Sequence, residues 1–184
     1  TCSSWLNSMG KNDQGLRSSK VRYQIVPRVL VFMRNGPDVL LLKGAPDKRI
    51  WANLYNGVGG HVESGEDVLT AARREVREET GLNVSNLNLK AIVNIDVGEQ
   101  ALGILMFVFV GQSGDRHTIS SIEGELHWVR ANQLPEDELV EDLTWLVPRI
   151  LEMEPDEPPL FLHYSYDEDD KLIIRAADLF YPAK

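Results

Sequence analysis

The stretch GHVESGEDVLTAARREVREETGL, residues 60–82, decides the fold of this chain, because it joins a glycine-containing loop to the best helix in the sequence. Small and apolar residues interrupt five acidic residues and three arginines over positions 66–82. This pattern predicts a helix over residues 66–80. Ser64 has the side chain of an N-cap residue, and Gly81 is suited to end the helix.

Three glutamates of this helix, Glu75, Glu78 and Glu79, stand close together in the sequence. At about 100° per residue they share one face, and Val76 belongs to a neighbouring apolar face that can pack on a sheet. Like charges at the partly buried rim of a core repel one another more strongly than exposed charges do. A divalent cation removes that repulsion, so the carboxylates predict a Mg²⁺ or Mn²⁺ site. The alternative is a solvated helix stabilised by salt bridges.

The composition limits the classes of function. Of the 184 residues, 43% are hydrophobic and 26% are charged, which is ordinary for a globular chain. The only cysteine is Cys2, so no disulfide can form within the chain, and we expect a reducing compartment, the cytoplasm. The net charge of −9 argues against binding of polymeric nucleic acid. An acidic chain that binds a polyphosphate needs metal ions or a local basic pocket.

We expect no association with a membrane. The longest apolar run, residues 101–111, is too short to span a bilayer as a helix and predicts a buried strand. The first twenty residues are polar and lack the apolar segment of a secretory signal.

The order of the predicted elements indicates an α/β domain with an extension at each end. Residues 1–20 are rich in Ser, Asn, Gly and Lys and predict a flexible N-terminal arm. The domain, 21–153, combines strands with two helices, the second of which starts at residue 134 and is disturbed at Pro148. Residues 154–184 predict a C-terminal extension that forms a β-hairpin packed on the domain.

Residues 60–82 resemble the signature box of the Nudix hydrolases, G-x5-E-x7-R-E-U-x-E-E-x-G-U, in which U is an aliphatic residue. Every fixed position of the box is occupied, and the order of strands and helices from about residue 21 to 153 also agrees with the family. The resemblance implies the Nudix fold, an α/β/α sandwich around a mixed, curved β-sheet. It also implies Mg²⁺- or Mn²⁺-dependent hydrolysis of a nucleoside diphosphate linked to another group.

The resemblance assigns roles within the box. It implies that Glu75 and Glu79 bridge the metal ions and that Glu78 is a third ligand. In the family, Arg74 pairs with the early glutamate of the box, so that Arg74 braces the catalytic centre. The carbonyl of Gly60 and the side chain of Glu63 are further expected metal ligands.

The general base that deprotonates the attacking water is left open among three glutamates. Glu75 lies within the box, whereas Glu123 and Glu125 belong to the segment SIEGELHWV, which resembles a family loop that reaches back to the metals. We favour Glu123. The alternative for Glu123 and Glu125 is an ordinary surface loop.

The segment NLYNGVGG, residues 53–60, resembles the Trp-Asn-Gly-Phe-Gly-Gly stretch of the oxidised-purine triphosphatases in the MutT branch of the family. This resemblance implies that Tyr55 and Asn56 contact the base, while the backbone at Gly59 and Gly60 approaches the phosphates. The alternative is that Tyr55 and Asn56 only shape the loop.

These observations favour a nucleoside triphosphate, oxidised or noncanonical (8-oxo-dGTP-like), cleaved to a monophosphate and pyrophosphate. The alternatives are another nucleoside diphosphate derivative, such as ADP-ribose or a nucleotide sugar, and a non-catalytic nucleotide-binding regulator. Tyr164 and Tyr166 alternate along a predicted strand and therefore face one side. They are expected either to cover the nucleotide site or to contact a second copy of the chain, so a homodimer is one compatible assembly.

Overall fold

The computed structural model describes residues 22–99, 101–119 and 122–177, so the arm predicted over 1–20 lies outside the described residues. The strands are β1 (Gln24–Asn35), β2 (Asp38–Gly44), β3 (Tyr55–Asn56), β4 (Val58–His61), β5 (Leu87–Glu99), β6 (Leu102–Gln112), β7 (Gly124–Arg130), β8 (Leu160–Tyr166) and β9 (Leu172–Ala176). The helices are α1 (Val68–Thr80) and α2 (Leu143–Glu152). Within the described residues, no helix is long and apolar enough to cross a membrane.

The strands of the described residues form one mixed sheet in the order β3-β2-β1-β6-β5-β8-β9. Strand β4 also pairs with β1, and β7 also pairs with β2. The pairs β1–β6 and β5–β8 are parallel, whereas the remaining pairs are antiparallel. The first hairpin matches the sequence prediction, since Asn35 pairs with Asp38 across the turn.

Alternating side chains of β1 bury two separate cores, one on each face of the sheet. Val31 and its alternate neighbours pack with Ala72 and Val76 of α1. Phe32, which points to the opposite face, packs with Leu146 of α2 and with residues of β5, β6 and β8. The sheet therefore lies between the two helices, which confirms the predicted α/β/α sandwich.

Helix α1 begins two residues later than the sequence predicted. Its N-cap is Asp67, whose Oδ1 accepts hydrogen bonds from the backbone N–H groups of Leu69 at 2.9 Å and Thr70 at 3.0 Å. The predicted N-cap, Ser64, lies in the preceding loop and is exposed. At the other end Gly81 adopts the left-handed conformation with φ 75°, as predicted for the residue that ends the helix.

The second helix is shorter than the sequence predicted. It begins at Leu143 rather than at residue 134 and continues through Pro148. The segment before it contains a 3₁₀ turn, Glu136–Glu138, followed by extended backbone at Leu139. There the N–H of Val140 donates to the carbonyl of Tyr55 at 3.0 Å. Pairing with β3 thus outcompetes the weak helical preference of this segment.

The tail of the described chain adds two strands to the sheet. Strand β8 lies parallel beside β5, and β9 returns antiparallel to β8 around the turn at 167–170. The division of the chain into a domain ending at 153 and an extension beginning at 154 stays a prediction.

Replacement of Asp67 by alanine is expected to destabilise the protein, because two N–H groups at the start of α1 lose their acceptor. The cost should be about 1 kcal/mol, which lowers Tm by about 2–4 °C for a chain of this size. Thermal unfolding followed by circular dichroism measures the change. The matched control is Ser64→Ala, which should leave Tm unchanged. A larger loss in Ser64→Ala than in Asp67→Ala would show that the helix is capped where the sequence alone suggested.

Candidate active site

Arg74 of α1 binds the loop that precedes the helix and two glutamates of the helix itself. Its guanidinium donates to Glu66 Oε1 at 2.7 Å and to the carbonyl of His61 at 3.0 Å. The same group donates to Glu75 Oε1 at 2.9 Å and to Glu78 Oε2 at 3.2 Å. Hydrogen bonding to Arg74 lowers the pKa of Glu66, so this carboxyl is fully ionised at neutral pH. The loop is therefore fixed against α1.

Glu79 lies on the buried side of α1 with only 8% of its surface exposed. Its Oε2 accepts a hydrogen bond from the backbone N–H of Gly59 at 3.1 Å. Burial raises the pKa of Glu79 to about 7, and the nearby negative charges of Glu75 and Glu123 add to the effect. The negative charges near the Glu79 carboxylate thus outweigh the positive ones.

Two glycines of β4 allow this close packing. A Cβ added at Gly59 would lie 2.1 Å from the carbonyl oxygen of Val29 in the neighbouring strand. A Cβ added at Gly60 would lie 2.4 Å from Glu75 Oε1. Glycine at these positions therefore lets β4 meet β1 on one side and the Glu75 carboxylate on the other.

Glu75 and Glu79 border a cavity of about 830 Å³, a size that suits a nucleotide-sized ligand. Glu78, whose side chain is 52% exposed, does not border it. At one end it is bordered by Gly59 and by the box residues Gly60, Glu63, Glu75 and Glu79. The acidic side chains in its wall are Glu63, Glu75, Glu79, Glu123, Glu141 and Asp142, and the basic ones are Arg28 and Lys48. The wall is therefore strongly acidic. A nucleotide bound there would carry negative charge as well.

The two glutamates considered as the base outside the box lie in different places. Glu123 borders the cavity and forms an ion pair with Lys48 at 2.5 Å. Glu125 does not border it; its side chain is 82% exposed and lies 3.4 Å from His127 Nε2. Of the two, Glu123 is thus in reach of a ligand in the cavity.

Asn56 borders the cavity, but Tyr55 does not. The ring of Tyr55 is buried in the core, packs edge-on against His127 and lies 4.9 Å from Lys43 Nζ. Neighbouring residues of a strand point to opposite sides, which places the Tyr55 ring in the core and Asn56 at the cavity. That Tyr55 contacts a base stays a prediction. The side-chain oxygen of Asn56 accepts from the N–H of Gly57 at 2.7 Å, which shapes the loop.

The end of the cavity away from the box combines two acids that the sequence analysis did not single out with two tyrosines that it expected either to cover the nucleotide site or to contact a second copy of the chain. Glu141 and Asp142 precede α2, while Tyr164 and Tyr166 project from β8. Burial raises the pKa of Asp142 to about 6. The alternation of Tyr164 and Tyr166 along the strand correctly indicated that both side chains lie on the same side of it. No local signal marked Asp142, because only the packing of α2 beside β8 brings it to the cavity.

The three box glutamates do not converge as the predicted metal site requires. Within the described residues, no group of three His, Cys, Asp or Glu side chains is arranged to hold a metal ion. The physical reason is competition: Arg74 holds Glu75 and Glu78, whereas the N–H of Gly59 holds Glu79. The donors nevertheless fit a hard cation in their chemistry, because Glu79 is a buried carboxylate beside the negative charges of other carboxylates.

Replacement of Asp142 by asparagine is expected to stabilise the protein above about pH 6. In the folded state the raised pKa means that Asp142 binds its proton more tightly than in the unfolded chain. Wild-type stability therefore falls as the pH rises from about 4 through 6, by on the order of 1–3 kcal/mol. Tm measured across this range should be higher for Asp142→Asn at pH 7 and equal to wild type near pH 4.

The matched control for this prediction is Glu141→Gln, since Glu141 is the adjacent acid and is exposed. It should show no such pH-dependent advantage. A Tm difference between Asp142→Asn and wild type that stays constant from about pH 4 to 7 would contradict the assignment of the raised pKa to this carboxyl.

Comparison with known proteins agrees with this geometry. The NUDIX domain family matches residues 24–150. An uncharacterised Nudix hydrolase of Bacillus subtilis, YvcI, is 35% identical over 101 residues, which are 53% of this chain and 61% of that protein. The oxidized purine nucleoside triphosphate hydrolase of Mus musculus is 26% identical over 146 residues, 76% of this chain and 89% of that protein. The chain thus spans about three fifths of the length of the Bacillus subtilis relative.

Among solved structures, a mutator MutT protein from Bacillus halodurans superimposes with a TM-score of 0.69 and 24% sequence identity. The likeness covers 83% of this chain and 97% of that one, and it concerns the fold. Since the family match extends over most of the chain and includes the intact box, this protein belongs to the Nudix hydrolase family.

Proposed function

We propose that the protein is a Mg²⁺- or Mn²⁺-dependent hydrolase that cleaves a nucleoside triphosphate to a nucleoside monophosphate and pyrophosphate. The observation that carries this proposal is the single cavity that joins the box glutamates to a polar, aromatic far end. One end has the chemistry to hold a polyphosphate through cations, and the other has the dimensions and polar groups to hold a nucleobase. The name of the mouse relative supports an oxidised purine nucleotide as the substrate class.

The charge of the cavity supports the need for a divalent cation. Six acidic side chains against two basic ones would repel a triphosphate at these short distances. Glu75, Glu78 and Glu79 would hold the ion, with the Gly60 carbonyl and Glu63 as further oxygen donors. When bound, Mg²⁺ or Mn²⁺ offsets the phosphate charge and activates the attacking water. Lys48 and Arg28 lie in the same wall and can contact the phosphates directly.

The protein's own groups supply position and proton transfer. Arg74 fixes the loop of Glu66 and His61 against the helix, so Gly60 keeps its place beside Glu75. The Gly59 N–H holds the Glu79 carboxylate. We assign proton abstraction from water to Glu123, because it borders the cavity and carries a carboxylate that Lys48 orients. Glu75 is the alternative base, although Arg74 already occupies one of its oxygens.

At the far end, carboxyl groups and tyrosines can read the edge of a base. A carboxyl group accepts hydrogen bonds from the amino groups of a nucleobase, and aromatic rings can pack against its face. Asp142, Glu141 and Tyr166 border this end of the cavity, and Asn56 lies in the same wall. This polar end favours a nucleotide over a diphosphate that lacks a base.

Incubation with a panel of nucleotides tests the proposed function. The panel contains 8-oxo-dGTP, the canonical triphosphates, ADP-ribose, a nucleotide sugar and a dinucleoside polyphosphate, each with Mg²⁺ or Mn²⁺. We expect hydrolysis of one or more triphosphates, with monophosphate and pyrophosphate resolved by ion-exchange chromatography. Turnover of ADP-ribose or the nucleotide sugar alone would replace the triphosphate by that substrate class. Binding without turnover of any member would instead indicate a non-catalytic regulator.

Two conservative substitutions distinguish the proposed general base, Glu123, from the nearby Glu125. Glu123→Gln should lower kcat at least about 100-fold with little change in KM, because a general base typically contributes that much. Glu125→Gln changes the same residue type outside the cavity and should keep kcat within about twofold. Steady-state kinetics on the best substrate of the panel measures both. Equal activity of Glu123→Gln and wild type would move the role of base to Glu75.

A further inference from the structure

Asp142 stands at the N-terminus of α2 but does not cap it. It occupies the N-cap position with helical backbone angles, φ −69° and ψ −23°, and its side chain makes no capping hydrogen bond. Asp67, at the corresponding position of α1, accepts two backbone N–H bonds. The carboxyl of Asp142 is therefore not used by its own helix and borders the cavity instead.

Tyr164 of β8 places a hydroxyl group beside the same end of the cavity. Only 2% of Tyr164 is exposed, and its buried hydroxyl makes no hydrogen bond to any described residue. A buried hydroxyl without a partner costs about 1–3 kcal/mol. Phenylalanine would fill this apolar position without that cost, so packing alone does not account for the hydroxyl.

Asp142 is the acidic residue that interacts with the Tyr164 hydroxyl. Burial raises the pKa of Tyr164 above its usual range, and the charge of Asp142 raises it further. In return, the hydroxyl acts to lower the pKa of Asp142, although burial of that carboxyl has the larger effect. Both groups border the same cavity, where the Asp142 carboxyl is the acceptor on which the Tyr164 hydroxyl acts.

We propose that Tyr164 is a positioning residue of the proposed nucleotide site, whose hydroxyl orients the Asp142 carboxyl toward the base-binding end of the cavity. Strand β8 lies beyond residues 24–150, where the family match ends. The C-terminal hairpin therefore sets base preference from outside the matched domain. This inference rests on the proposed function for the identity of the ligand as a nucleotide.

The hydroxyl acts on orientation rather than on the reaction itself. The groups that act on the Tyr164 hydroxyl are Asp142 and Tyr166 rather than the box glutamates, so its loss should leave the reacting end of the cavity intact. A freely rotating carboxyl at Asp142 loses part of its hydrogen bonding to a base. The effect therefore falls on KM and on discrimination between bases, and not on kcat.

Tyr164→Phe tests the inference, because it removes only the hydroxyl. For the preferred nucleotide we expect KM to rise at least about fivefold while kcat stays within about twofold of wild type. The ratio of kcat/KM between the preferred nucleotide and nucleotides with other bases should fall. Hydrolysis of ribose 5-triphosphate, which lacks a base, should not change. In the double variant Asp142→Asn/Tyr164→Phe, KM should equal that of Asp142→Asn alone, since the hydroxyl acts through Asp142.

The control is Tyr23→Phe, which removes a hydroxyl that donates to Asn94 Oδ1 at 3.0 Å away from the cavity wall. It should leave KM and base preference as in wild type. Tm of Tyr164→Phe should not fall, because within the described part of the chain the lost hydroxyl makes no hydrogen bond. Calorimetric binding of the same nucleotides to wild type and Tyr164→Phe provides a measurement that does not depend on turnover.

The outcomes separate the inference from the proposed function. An unchanged preference in Tyr164→Phe, an equal loss on the base-free substrate, or additive effects in the double variant would overturn the inference while hydrolysis of triphosphates still stood. If the wild type binds nucleotides without hydrolysing them, and Tyr164→Phe binds them more weakly, the inference is supported and the hydrolase proposal is overturned. A wild type that neither binds nor hydrolyses any nucleotide overturns both.

Discussion

The candidate site depends on one guanidinium group. Arg74 connects the loop before α1, through Glu66 and the carbonyl of His61, to Glu75 and Glu78 on the helix. These carboxylates raise the pKa of Arg74 further above its usual value, so the guanidinium stays charged at any pH that the protein meets. Without the hydrogen bonds from Arg74, the polar loop before α1 would have few contacts that fix its position. The same hydrogen bonds occupy Glu75 and Glu78, whereas Glu79 accepts from the N–H of Gly59.

The sheet places this loop beside a space that no helix fills. Strand β1 buries alternate side chains against α1 and α2, and each helix covers its own part of the sheet. On the side of α2, the cavity opens between the box strand β4, the start of α2 and strand β8. Strands and residues of both helical regions supply much of its wall, and the loop between β2 and β3 adds Lys48 and Trp51. Side chains from distant parts of the sequence therefore meet there.

The C-terminal part of the described chain closes the far wall of that space. Lys90 is buried at 3% exposure, and its Nζ donates to the carbonyls of Met153 and Glu154 just after α2. These carbonyl groups would otherwise lack partners at the end of the helix. The chain then turns into β8, which lies parallel to β5 and carries Tyr164. The end of α2 and the position of β8 are thus fixed together, which gives the hairpin a defined relation to the cavity.

Much of the fold could be predicted because its signals are local. The hairpin at 35–38, the strands after it and the amphipathic helix of the box follow from turn residues and from periods of two and 3.6 residues. The box also led to the glutamates that border the cavity. Local signals failed where two acceptable local structures compete. Asp67 and Ser64 are both good N-caps, and the segment from residue 134 has a helical pattern that pairing with Tyr55 overrides.

By itself, the sequence determined the order of elements, the acidic face of α1 and the presence of the box, since each depends on neighbours along the chain. Only the tertiary structure decided that Tyr55 does not border the cavity, that Glu123 and not Glu125 borders it, and that Asp142 and Tyr164 border it together. The reason is physical. Which side of a strand faces a ligand depends on its register with other strands, and contacts between residues far apart in sequence depend on how the helices pack on the sheet.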